Sequence, residues 1–222
     1  KFTIALEMFP ATTQKALDAF MEGSITEAAF LEKIDYETIW GFPWKNFKPL
    51  LDFARTHGLK VLALNLDSAS LEARDVHAAE IIAEHFAVAD REKIFVLFGD
   101  LHVARGHLPQ KLKRNFKEAG QPARILSIFQ NSESLYWRMA AQKMEQTVDV
   151  VRLARDRFCI MNAAPWVKLQ SYLQWAETGD TIDSDDVEFI DQSSGSLIEQ
   201  AHDRLKNLAD VLGLPLSEKL EF

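Results

Sequence analysis

Four short apolar runs, FTIALEMF, LKVLALN, KIFVLFG and ARILSIF, constrain this chain more than any other feature. They are far too short to span a membrane. They are also too continuous for strands with one wet face. Apolar runs of this length read as strands buried on both sides, which is the condition of a parallel sheet covered by helices. The intervening segments read as helices. The expectation is an α/β fold: a mainly parallel sheet flanked by helices, with interior strands at 4–8, 61–65, 95–98 and 125–129, and a C-terminal helical extension.

Punctuation supports the alternation. ATTQKALDAFMEG reads as a helix with Gly23 past its end, and SITEAAFLEKI as a second helix with an S-x-x-E capping box at Ser24 and Glu27. DYETIWGFPW reads as an aromatic loop. KNFKPLLDFARTHG is a helix that starts late because of Pro49 and ends at Gly58. Helices follow at SLEARDVHAAEIIAEHFA, LPQKLKRNFKEAG, SESLYWRMAAQKM and APWVKLQSYLQWAETG. VDVVRLA and RFCIMN are strands around a tight Arg-Asp connection. The domain reading is an α/β domain at 1–180, an acidic Ser-rich linker at 181–193 and an amphipathic helix at 194–213. That helix is apolar at Leu197, Ile198, Ala201, Leu205, Leu208 and Leu212. It has a face for packing on the domain or on a partner, a homodimer included.

Charge and cysteine content narrow the function classes. The 222 residues carry a net charge of −8, so a nucleic-acid-binding face is not expected. Cys159 is the sole cysteine and lies in an apolar run, which reads as a buried inert thiol. No intramolecular disulfide and no c-type haem attachment can form. The chain opens inside a core strand, which leads us to expect native sequence upstream. Such a start does not specify a compartment; the lean is to a bacterial cytoplasm.

Ligands of open parallel sheets bind beyond the carboxyl ends of the strands. Glu7 lies inside the first run, Asn65 closes the second, and Gly99-Asp100-Leu101-His102 follows the third. A buried carboxylate needs a cation or donor. On the helix after Asn65, Arg74 and Asp75 share the half that carries Ala78 and Ile82, whereas Glu80 and Glu84 point away. Arg74 is therefore expected either to pair with Asp75 at the rim or to reach toward Glu7 and His102. Gly99 is expected to leave the His102 imidazole exposed at the sheet edge. His107 reads as a surface loop residue.

The segments ALEMF, PLLDFARTHGLKVLALN and FGDLHVARGHLP resemble the ChaN-like haem-binding uptake proteins of the Tiki superfamily, over about residues 2–110. That superfamily also holds erythromycin-esterase-like and TraB-like proteins. Glu7 matches the family's Glu, Gly99 and His102 its second G-x-x-H, and Arg74 the arginine of the esterase-like branch. The first G-x-x-H would precede Glu7 and is not in this sequence. Glu7 and His102 are accordingly expected to be short of partners, unless Arg74 neutralises Glu7 by itself, in which case the pair is structural and needs no metal.

The resemblance implies a small-molecule ligand, haem, with His102, Tyr36, Tyr136 and Tyr172 as candidate iron ligands. Its alternative is a hydrolase with Glu7, Arg74 and His102 as catalytic residues. In the metal-dependent version of that enzyme, Glu7 and His102 would ligate a divalent ion. A third reading is a scaffold that has kept the fold and lost the chemistry.

Overall fold

In the computed structural model of this protein, the described residues are 2–167 apart from 68, 90, 91 and 122, together with Leu169 and Lys206. Tyr172 and the linker at 181–193 lie outside them, as does the helix expected at 194–213 apart from Lys206. The chain divides into two compact units. The first is Lys1–Phe129 with Val150–Ile160; the second is Gln130–Asp149 with the residues from Met161 onward.

The first three apolar runs form a parallel sheet: β1 (Phe2–Pro10), β2 (Lys60–Asn65) and β3 (Lys93–Leu97), in the order β2-β1-β3. Leu6 of β1 lies opposite Ala63 on one side and Leu97 on the other. Successive side chains of β1 alternate between two cores. Ile4, Leu6 and Met8 pack with α1 (Gln14–Met21), α2 (Glu27–Lys33) and α4 (Lys48–Thr56). Ala5 packs with α5 (Leu71–Val88) and α7 (Leu108–Glu118). Helices thus cover both faces of β1 and β2, whereas β3 is an edge strand with Phe95 and Leu97 exposed, not the interior strand expected at 95–98.

The fourth run departs from the expectation. β4 (Ser127–Gln130) belongs to another three-stranded sheet, in the order β4-β6-β5 with β5 (Val150–Ala154) and β6 (Arg157–Ile160). β5 and β6 are antiparallel around the Arg-Asp connection. The architecture is therefore mixed α/β with a small parallel sheet. Burial explains the difference. Ser127 is buried while Leu126 and Ile128 are exposed, the one-sided pattern of a strand without helices on both faces.

Local signals moved as well. The second helix is capped by Thr26, whose hydroxyl accepts from the Ala29 amide, rather than by Ser24. The aromatic loop contains a short helix, α3 (Tyr36–Trp40), ended by Gly41 in the left-handed region. Cys159 is fully buried.

Phe30 is the keystone of the first core. It is fully buried, stacked on Phe20 at 4.6 Å between ring centres and edge-on to Phe9 at 5.7 Å. Phe30→Ala is expected to destabilise the fold by about 3–5 kcal/mol. Urea unfolding followed by tryptophan fluorescence reads this, because Trp44 packs 6.0 Å from the same ring; a loss below about 1 kcal/mol would contradict the packing.

Candidate functional site

Seven residues from four segments meet at the carboxyl end of the parallel sheet. The local cause is an irregularity in β1. Its register with β2 breaks between Leu6 and Pro10, which lies opposite Asn65. A register shift of this kind bends a strand and re-aims its side chains. Glu7 is the first residue past the regular ladder. Its carboxylate accepts from an Arg74 guanidinium nitrogen and, at 2.6 Å, from the Gly99 amide just beyond β3. Arg74 is held in turn by Asn65, whose side-chain oxygen accepts from Nε at 2.9 Å. One guanidinium thereby ties the ends of β1 and β2 to α5.

Behind this pair lies Asp75, which is fully buried. One carboxylate oxygen is 2.6 Å from His102 Nδ1; the other is 2.8 Å from His107 Nδ1. His102 sits on the short helix α6 (Asp100–Val103), its ring 4.4 Å from Phe98 in an edge arrangement. Its Nε2 is 3.3 Å from Glu7 Oε1. His102 therefore stands between two carboxylates, and with a proton on each ring nitrogen it donates to both. His107 precedes α7 and has no partner for Nε2 among the described residues. Its side chain is 34% exposed, against 4% for His102.

Burial of Glu7 raises its pKa. Hydrogen bonds from His102 and the Gly99 amide, with the charges of His102 and Arg74, outweigh that and hold the carboxyl below its ordinary value. A carboxylate held this way is a weak base.

The structure brings Arg74 and His102 onto the carboxylate of Glu7. Of the two readings for Arg74, the structure shows the reach toward Glu7, with Asn65 as a second partner, and not the pair with Asp75. It corrects two details. His102 is buried rather than exposed at the sheet edge. Glu7 and His102 are not short of partners, because Arg74, Gly99 and Asp75 supply them. Asp75 and His107 were missed as site residues. The inward phase of Asp75 was visible in the sequence, whereas the meeting of two histidines on its oxygens depends on where the chain turns after α6. Asp100 is exposed and outside the network.

Two of the three candidate tyrosines are among the described residues. Tyr36 is buried in the first core, edge-on to Trp44 at 5.2 Å, with no partner for its hydroxyl; burial pushes its pKa up to about 12. Tyr136, in the second unit on α8 (Glu133–Ala140), is buried between Trp137 and Trp166. Burial, aided by the Glu145 charge, raises its pKa. Among the described residues no group of three or more His, Cys, Asp or Glu side chains is placed to hold a metal ion. Glu7 and His102 give two donors, both engaged, short of the three protein ligands a zinc site needs. No helix among the described residues is long and apolar enough to cross a membrane.

Glu7 makes a specific pH signature. Folding stabilises its ionised form, so its contribution is complete above the ordinary value of 4.5 and is lost as pH falls through the lower folded-state value. Glu7→Gln is expected to destabilise the protein by about 1–3 kcal/mol at pH 7. The gap from wild type should close on acidification below pH 4.5. Urea titrations of both proteins across that range check this, and a gap independent of pH would refute the assignment.

Residues 1–76 match the model of a family described as haem-binding uptake, Tiki superfamily, ChaN, in agreement with the resemblance read from the sequence. No curated protein and no solved structure matches the chain.

Proposed function

We propose that this chain is a haem-binding protein of the ChaN type. The observation that carries the reading is the family match over residues 1–76, which contain Glu7, Asn65, Arg74 and Asp75 of the strand-end network. The network itself supports a binding role more than a hydrolytic one. Glu7 is committed to Arg74 and the Gly99 amide, and its lowered pKa makes it a poor general base. Arg74 is committed in the same way and is not free to stabilise an oxyanion. Among the described residues no group of three donors is placed to hold a divalent ion.

Haem iron needs an axial imidazole or phenolate with an available lone pair. His102 has both ring nitrogens engaged, and Tyr36 and Tyr136 are buried phenols held in the protonated form. The cluster nevertheless retains one imidazole with an uncommitted nitrogen, so its donor set suits a haem iron where it does not suit a divalent ion. When bound, haem supplies a redox-active iron centre.

Titration of the full chain with ferric haemin tests the reading. The expected result is a saturable shift of the Soret band away from that of free haemin. A spectrum that remains the sum of protein and free haemin at every ratio would overturn it.

A further inference from the structure

We propose that His107 binds the haem iron through Nε2, with Asp75 as the residue that orients and polarises it. This rests on the haem reading above. A histidine that ligates a metal usually gives its other ring N–H to a carboxylate or carbonyl, which fixes the tautomer, aims the lone pair and raises ligand basicity. His107 meets that description before any metal is considered. Its Nδ1 lies 2.8 Å from a carboxylate that is fully buried. A proton on Nδ1 leaves Nε2 as a bare lone pair. The side chain is one-third exposed, so that lone pair is open to a ligand arriving from solvent.

The other described histidines lack this combination. His102 is buried with both nitrogens engaged. His85 Nε2 meets Thr3, and its side chain is only 9% exposed. His77 has an unpartnered Nε2, but that atom is buried. His57 is exposed, yet is oriented only by a carbonyl of its own helix. Asp75 also fits the part. A carboxylate with no water contact keeps its full effect on the hydrogen bonds it accepts, and His102 on its other oxygen prevents it from turning away.

The experiment is a haemin titration of this chain and of His107→Ala, His107→Gly, His107→Gln, Asp75→Asn and His57→Ala, read by optical and electron paramagnetic resonance spectra. Wild type and His57→Ala should give one ferric-imidazole spectrum. His107→Ala should lose it, with haemin affinity falling more than about tenfold. Imidazole added to His107→Gly should restore the wild-type signature. Asp75→Asn should retain an imidazole ligand but raise the iron reduction potential and weaken ferric binding by about 10- to 100-fold.

His107→Gln keeps an N–H to donate to Asp75, so it decides the matter if the alanine variant does not fold. A wild type that binds haemin while His107→Gln keeps an unchanged spectrum and affinity would overturn the assignment of His107 and leave the haem reading standing. A wild type with no Soret shift would overturn both.

Discussion

A fully buried carboxylate, Asp75, sets the terms for the carboxyl end of the sheet. An isolated ionised carboxylate in an apolar interior is prohibitively unfavourable, so the fold must bring it donors. It brings two imidazoles, one on each oxygen. That requirement fixes where the chain goes after β3: a four-residue helix delivers His102, and the turn before α7 delivers His107. α7 then closes over α5 with Leu108, Leu112 and Phe116 buried in the second core. The packing of α7 and the satisfaction of Asp75 depend on each other, because the residue that starts the helix is next to the one that meets the carboxylate.

Glu7 imposes a second requirement of the same kind on the central strand, and the sheet answers it differently. The guanidinium and a backbone amide neutralise and satisfy it, and the register break in β1 turns it toward them. The two acids are joined through His102, which contacts both. Arg74 and Asp75 are neighbours on α5, so a single helical turn supplies the cation for one acid and is itself the other. Such a network resists partial dismantling, since removing one member leaves a buried partner unmatched.

Much of this was legible in the sequence. β1 and β2 were visible as unbroken apolar runs, because burial on both faces leaves no room for alternation; the equally unbroken run of β3 leaves Phe95 and Leu97 exposed on one face. Glu7, Arg74 and His102 stood out as polar groups at places where solvent was not expected. The fourth strand was misassigned because a short apolar run does not say which sheet it joins; Ile128 and Leu126 read as core residues but are exposed. The exposure of His102 was inferred from Gly99, yet that glycine donates its amide to Glu7 while the imidazole folds inward. Contacts made by loops, such as the approach of His107 to Asp75, have no periodicity from which to be read.

The amino end of the same strand offers a control on how these clusters should be understood. Thr3 is fully buried on β1; its hydroxyl donates to Glu92 at 2.7 Å and lies 3.1 Å from His85 Nε2. There the imidazole faces the hydroxyl and carboxylate across a cluster whose members are largely buried, and desolvation holds its pKa below the ordinary value. That end closes on itself and fastens β1 to the region before β3. The carboxyl end uses the same ingredients, a buried strand residue, a carboxylate and imidazoles, but adds a second histidine that the network engages through Nδ1 alone. Structural satisfaction accounts for His102, Arg74 and Asn65. It accounts for the Nδ1 of His107 as well, but not for an open Nε2 on that ring, and this surplus is what the proposed binding role rests on.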